Sequence, residues 1–276
     1  MNQAWAPGLV IAAPASGSGK TVVTLGLLSH LAETGRRVAS AKAGPDYIDP
    51  AFHAAATGQA CLNLDPWAMR AAILGRAAAW LAQDADIVVC EGVMGLFDGA
   101  FVNKGGNDGS TAALARLTGW PVVLVIDARA QAASAAAVAK GFATFRPGVE
   151  VGGIVFNRIG GDRHGEILRQ ASEAALPDIP VLGCLPRADG LALPARHLGL
   201  VQAREHPDLS GFIARARALI AEHLDTDALV ALARPLKTAS SSPAPSLGPP
   251  LDPIGQHIAV ARDEAFGFSY PLVIEG

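Results

Sequence analysis

The sequence predicts an α/β fold with a doubly wound, mainly parallel sheet and helices on both faces. Three observations predict it. Short β-type runs alternate with helix-type stretches over the first 200 residues, the order of a strand–helix–strand chain. Several runs are almost continuously apolar, as strands covered on both faces require. A glycine-rich segment lies between the first run and the first helical stretch, where a parallel sheet offers a helix N-terminus to an anion.

The β-type runs span residues 9–13, 38–43, 86–91, 122–127, 151–157 and 181–185. The helical candidates between them span 20–33, 67–82, 110–117, 130–145 and 164–175. In the first of these, Val22, Val23, Leu25, Leu28, Leu31 and Ala32 recur at near-helical spacing. Beyond Leu200 the pattern turns purely helical, with Leu209, Phe212, Ile213, Ala216, Leu219 and Ile220 along one stripe of residues 208–224. From Pro235 to Pro253, six prolines and four serines crowd into nineteen residues, a composition that buries too little surface to fold and reads as a linker. After it, His257–Asp263 looks like an opening strand with nothing to pair with. The expected layout is a first unit over 1–234, a linker over 235–256 and the start of a second, cut-off domain over 257–276.

With 276 residues, 50% of them hydrophobic, the chain is long enough for about two domains on a prior of roughly 150 residues each. Only 17% are charged and the net charge is −3, so no general basic field exists for nucleic acid or an anionic membrane. No apolar run approaches the roughly 18 residues of a membrane-spanning helix. Residues 1–7 lack the basic start and apolar stretch of a secretory signal, which makes the cytoplasm the expected compartment. Cys61, Cys90 and Cys184 show no CxxC or CxxH spacing and read as small buried hydrophobes.

The sharpest local feature is Ala13-Pro14-Ala15-Ser16-Gly17-Ser18-Gly19-Lys20-Thr21. Small residues there let backbone N–H groups turn toward phosphate oxygens. Lys20 would neutralise β/γ charge and Thr21 would offer its hydroxyl to Mg²⁺. The phosphate-loop pattern G-x-x-x-x-G-K-[ST] is met except at its first position, where Pro14 stands. ATP and Mg²⁺ are therefore the expected cofactors, held by Ser16, Gly17, Ser18, Gly19, Lys20 and Thr21.

Ligand sites of doubly wound sheets lie at the carboxyl ends of strands, and two such ends here are acidic. One carries Lys42, Asp46 and Asp49, the other Glu91 and Asp98. Mg²⁺ takes hard oxygen ligands and keeps several waters, so Thr21, Asp46 and Glu91 suffice as a candidate set. Asp46 and Asp49 also suit turns beside Pro45 and Pro50, and Asp98-Gly99 suits a hairpin turn. Lys42 reads either as a snorkelling lysine or as a clamp on a transferring phosphoryl group. Ser110 and Thr111 begin a helical run after a glycine-rich turn; they either cap that helix or present its N–H groups to a substrate carboxylate.

The blocks AKAGPDYIDP, CEGVMGLFDG, GSTAALA, GIVFNRIGGDRH and GCLPR followed by LPARHLGL resemble cobyrinic acid a,c-diamide synthase, including the hydrogenobyrinic acid form of aerobic cobalamin synthesis. The resemblance runs from about Ala12 to the last residues. It implies a dethiobiotin-synthetase-like P-loop domain followed by a class I glutamine amidotransferase domain, whose opening strand HIAVARDEAFGFSY resembles. The family's reaction is ATP-dependent amidation of the a and c acetates of a corrinoid through acyl phosphates. By matching positions, the resemblance marks Asp46, Asp49, Glu91 and Asp98 for metal binding or for handling substrate and acyl phosphate; with Lys20 and Lys42 as charge-balancing groups, they make the catalytic candidates. Asp49 and Asp98 join Ser110 and Thr111 as substrate candidates, and resemblance to the wider group implies Asn157 with Pro186 for the adenine base.

Arg196 and His197 are candidates for the carboxylate-rich substrate. The implied partners are a corrinoid polycarboxylate and ammonia, drawn from glutamine by the missing domain, with a homodimer among the expected states. No nucleophilic Cys with a His partner stands where a glutaminase would need it, so the chain is expected to use free ammonia at best. A sister amidase resembling cobyric acid synthase, a dethiobiotin-synthetase-like ligase without an amidotransferase, and an ATP-driven partitioning switch are the competing readings. The switch would carry a second lysine early in its loop, where Pro14-Ala15-Ser16 stand instead.

Overall fold

The computed structural model describes residues 5–101, 107–193, 195–196, 199–237, 255–261, 263 and 266–275. Seven strands make one parallel sheet: β1 (Gly8–Ala12), β2 (Val38–Ala43), β3 (Leu62–Leu64), β4 (Ile87–Glu91), β5 (Val122–Asp127), β6 (Val151–Ile159) and β7 (Val181–Pro186). Their order across the sheet is β3-β2-β4-β1-β5-β6-β7. The strand that feeds the phosphate loop is thus central, flanked by β4 and β5.

Alternation along β1 divides the core. Leu9 and Ile11 join Val23, Leu27, Leu28 and Leu31 of α1 (Lys20–Glu33), Ile220 of α7 (Leu209–His223) and Leu229 of α8 (Thr226–Leu232). Val10 and Ala12 point the other way. There they meet Leu74, Ala77 and Ala78 of α3 (Ala71–Gln83), Ala112 and Leu114 of α4 (Thr111–Thr118), Ala135 and Ala139 of α5 (Ser134–Thr144) and Leu168 of α6 (Asp162–Ala175). A side-chain period of two with both faces apolar is what a sheet covered on each side demands.

The helices start where the local chemistry allows. Ser110, Asp208 and Asp225 cap α4, α7 and α8 by accepting from Ala113, Gly211 and Ala228 backbone N–H groups. The α3 start falls at Ala71 instead of residue 67, because Asp65 Oδ1 accepts the Trp67 and Ala68 N–H groups and holds a turn there. The α5 start falls at Ser134 instead of residue 130, since Ala130 has φ 56° and cannot lie in a right-handed helix.

Several elements were not expected. Helix α2 (Asp49–Thr57) occupies what reads as two proline turns: Asp46 Oδ1 accepts the Ile48 and Asp49 N–H groups, Pro50 stands in the first turn, and Gly58 at φ 70° ends it. Strand β3 is only three residues long, too short for periodicity to reveal. Helix α8 follows α7 after a single capping junction.

The strand expected over 257–263 is not formed by its described residues. Ile258 and Val260 are 59% and 53% exposed, and among the described residues no strand pairs with them. The described chain there ends in a short helix, α9 (Pro271–Glu275), and leans on the first unit through Tyr270, whose ring stacks on Tyr47 at 4.4 Å. Most of the expected linker, 238–254, lies outside the described residues. Its first residues belong to the packed unit: Leu236 sits against the core and the Lys237 N–H donates to Thr118 O. A two-residue antiparallel pair, β8 (Ala195–Arg196) with β9 (Gly199–Leu200), precedes α7. The side chain of Arg196, and His197 altogether, lie outside what is described. Among the described residues no helix is long and apolar enough to cross a membrane.

Candidate functional site

The site is built at the carboxyl ends of β1, β2 and β4. Register places Ile11 opposite Glu91 and Lys42 opposite Glu91, so the phosphate loop and both acidic loops leave neighbouring strands side by side. Gly17 and Gly19, at φ 78° and 94°, supply the left-handed turns that bend the loop into the N-terminus of α1. Ser18 tightens it by donating to Ala15 O at 2.8 Å.

Thr21 Oγ1 donates to Glu91 Oε1 at 2.7 Å. The Lys42 ammonium is buried and donates to Asp49 Oδ2 at 2.5 Å, Glu91 Oε1 at 3.1 Å and Gly92 O at 3.2 Å; Asp46 Oδ2 lies 4.0 Å away. Lys20 Nζ donates to Met94 O at 2.6 Å, a carbonyl presented by a residue with φ 52°. The sequence therefore brings Lys20, Thr21, Lys42, Asp46, Asp49 and Glu91 into one continuous group. Asp98 stands at its exposed rim, one oxygen accepting the Gly95 N–H at 2.9 Å.

Two residues that sequence reasoning passed over complete the group. His53 Nε2 lies 2.6 Å from Glu91 Oε2, and Cys61 Sγ lies 3.4 Å from His53 Nδ1, all three side chains being buried. His53 is four residues after Asp49 and shares its helix face, a signal that becomes visible once α2 is seen as a helix.

Electrostatics follow from burial and pairing. Burial opposes a charge on Lys42, but Glu91, Asp49 and Asp46 outweigh it and hold the ammonium above its usual value. Burial likewise opposes ionised Glu91, and Lys42, His53 and Thr21 overcome it, keeping the carboxylate well below the usual range. Asp49 is pushed up to about 6 by burial and by Glu91, against the pull of Lys42. For His53, burial opposes protonation while Cys61 and Glu91 favour it, pushing the imidazole up to about 10. Burial lowers Lys20 despite Glu91. A buried carboxylate, lysine and imidazole in mutual contact are tolerable only because each supplies the other's counter-charge.

The remaining candidates sit differently. Ser110 and Thr111 are fully buried, and their hydroxyls are spent inside the protein: Ser110 donates to Asp108 Oδ1 and caps Ala113, while Thr111 donates to Val93 O and accepts the Val93 N–H. The Ala112 N–H is taken by Leu96 O. Ser110 thus caps α4, while Thr111 and the Ala112 N–H tie the helix start to the loop at Val93 and Leu96. Asn157 Nδ2 donates to Ser18 O at 2.9 Å and its Oδ1 accepts the Arg158 N–H, so its amide holds the phosphate loop. Pro186 ends β7.

A cleft of about 420 Å³ runs along the outer side of the loop, between Ser16–Ser18 and Asp127, Arg129 and Gln131. Lys20, Thr21 and Glu91 are not among the residues that line it.

Among the described residues no cluster of three His, Cys, Asp or Glu side chains is arranged to hold a metal unaided. The donor set still suits Mg²⁺. A hydroxyl and a carboxylate in direct contact are hard oxygen donors, and Mg²⁺ bound to a nucleotide needs only one or two protein ligands.

The family described as CbiA: CobQ/CobB/MinD/ParA nucleotide binding domain matches residues 9–201. A hydrogenobyrinate a,c-diamide synthase from Brucella anthropi is 51% identical over 98% of this chain and 60% of its own length. One from Mesorhizobium japonicum is 50% identical over 97% of this chain and 60% of its own. The chain thus spans about 60% of the curated relatives it matches. Chloroplast FtsY from Physcomitrella patens overlaps 66% of this chain and 59% of its own at 21% identity with a TM-score of 0.48, a likeness too low to carry an argument.

Proposed function

The chain belongs to the CobQ/CobB/MinD/ParA nucleotide-binding family, and from that premise we propose that it is the ATP-binding, carboxylate-activating part of an enzyme that amidates the a and c acetates of hydrogenobyrinic or cobyrinic acid. The observation that carries this reading is the joining of Thr21, Glu91, Lys42 and Asp49 at three neighbouring strand ends. A nucleotide switch needs the phosphate loop and a water-positioning carboxylate; the additional buried lysine and aspartate are what a carboxylate-phosphorylating site adds. The naming of relatives about 50% identical as hydrogenobyrinate a,c-diamide synthases supports the substrate class.

In the proposed reaction an acetate oxygen of the corrinoid attacks the γ-phosphorus of ATP and the bond to the β-phosphate oxygen breaks, giving an acyl phosphate and ADP. Ammonia then attacks the acyl carbon, phosphate leaves and a proton is shed. Such transfers ask for positioning and charge stabilisation more than for a protein nucleophile. Lys20, once it leaves Met94 O, reaches for the phosphates. Lys42 balances charge on the transferred group while Asp49 and Asp46 hold it in place. Asp98 at the rim faces the incoming acid. Asn157 and Pro186 border the base. When bound, Mg²⁺ supplies Lewis-acid neutralisation of the phosphate oxygens; Thr21 and Glu91 would hold it, with Asp46 nearby.

The layout proposed with this function is a ligase unit over 1–234 with residues 235–237 packed on it, a connecting segment from there to 256 and the opening of an ammonia-supplying amidotransferase over 257–276. The test is mass-spectrometric product analysis with ATP, Mg²⁺, ammonium and either corrinoid acid. Gain of two amides supports the reading and identifies the preferred macrocycle. ATP binding without any amide from a full-length chain would overturn it.

A further inference from the structure

Successive side chains of a strand point to opposite faces, yet Asn157 and Arg158 at the end of β6 both reach the phosphate loop. Asn157 Nδ2 donates to Ser18 O at 2.9 Å and Arg158 Nη1 donates to Gly17 O at 2.7 Å. Two departures from regular geometry make this possible. The register between β6 and β7 shifts between Asn157 and Ile159, a bulge of the kind that re-aims side chains. Arg158 itself lies at φ 60°, in the left-handed region that a residue with a Cβ occupies at a cost. Glycine would sit there without strain.

The guanidinium has a second partner on the sheet. The same Nη1 donates to Asp127 Oδ2 at 2.6 Å, and Asp127, at the end of β5, also binds Arg129. The loop is packed so closely on this pair that a Cβ on Gly19 would collide with the Asn157 amide. A peptide whose carbonyl is drawn outward turns the N–H of the following residue inward. Holding Gly17 O and Ser18 O therefore aims the Ser18 and Gly19 N–H groups toward the phosphate side of the loop.

We infer that Arg158 is a positioning residue for nucleotide binding: pinned by Asp127, it draws the Gly17 carbonyl outward and so sets the phosphate loop before nucleotide arrives. The inference rests on the nucleotide-binding reading of the loop. It does not depend on which acid is amidated.

The test uses Arg158→Gly, which deletes the side chain and relieves the backbone strain, and Arg158→Lys, which keeps one donor. Affinity for Mg²⁺-ATP is measured by calorimetry, hydrogen exchange is followed at the amides of residues 16–21 without nucleotide, and Tm is recorded. For Arg158→Gly the expected result is at least a tenfold loss of affinity, faster exchange confined to the loop and a Tm no lower than that of the wild type. Arg158→Lys falls between the two. Unchanged affinity in folded Arg158→Gly overturns the inference. So does lost affinity with unchanged loop exchange, because the arginine would then act on the phosphates directly. If the full-length wild type amidates no corrinoid acid while Arg158→Gly still loses affinity and loop protection, the ligase reading falls and the positioning role stands.

Discussion

His53 and Glu91 meet at 2.6 Å with both side chains fully buried. Each supports the other's charge, beside Lys42 on the Glu91 side and Cys61 on the His53 side. His53 is held protonated up to about 10, against a value of 6.5 in an unfolded chain. Between those limits the folded protein keeps a proton that the unfolded chain has released. The stability contributed by His53 is therefore whole below pH 6.5 and is lost as pH rises toward 10. Urea unfolding of wild type and His53→Gln at several pH values should show the wild type losing up to roughly 1.4 kcal/mol more per pH unit across this window. Parallel curves would mean that His53 is neutral in the folded state.

Lys42 is the shared cation of Glu91 and Asp49. Lys42→Met keeps the packing volume but leaves two buried carboxylates without their partner. A stability loss of about 3–5 kcal/mol is expected from breaking such a pair on one side, read from the urea midpoint at constant m-value. The loss should shrink in Lys42→Met/Asp49→Leu, which removes one of the stranded charges.

The Lys20 ammonium donates to Met94 O. Lys20→Ala should leave circular dichroism and Tm nearly unchanged while nucleotide turnover falls by roughly 10²–10³, the scale of losing one charge-stabilising donor. Unchanged turnover in the folded variant would remove Lys20 from the phosphate site.

Glu91→Gln keeps size and deletes charge. ATP affinity should then rise more weakly with Mg²⁺, with the titration midpoint moved to higher concentration. Calorimetric titration checks this without any need for turnover, and an unaltered Mg²⁺ dependence would assign Glu91 to the support of Lys42 and His53 alone.

Gly26 lets α1 and α7 approach so closely that a Cβ would lie 2.5 Å from Ala216 O and 2.6 Å from Ile220. Despite the better helix propensity of alanine, Gly26→Ala should destabilise by about 1–3 kcal/mol through overpacking, measured by thermal or urea unfolding.

Much of this was legible in the chain itself, and the exceptions have physical reasons. The strands at 38–43 and 122–127 fall where predicted, the second as an apolar run closed by Asp127 and the first with Ser40 and Lys42 buried among its small apolar residues. Helix α2 was hidden by Pro45 and Pro50, which suit a turn as well as the first turn of a helix. That concealment also hid His53. Lys20, Thr21, Lys42 and Glu91 were readable because strand ends in a doubly wound sheet converge whatever the intervening sequence. The Asp127–Arg158 contact with the loop could not be read, since a bulge and a left-handed residue break the period from which side-chain direction is inferred.

The central pairing has a consequence for how the molecule comes together. Gly8 pairs with Val88 and Ile11 with Glu91, so the closure of β1 on β4 must bridge the whole stretch from α1 to α3. Long-range parallel pairing of this kind is slow to form. The loop and its carboxylate thus become neighbours late, and a nucleotide that needs both would recognise only chains whose central sheet is complete. Binding of a fluorescent nucleotide during refolding would then serve as a clock for the final step of assembly.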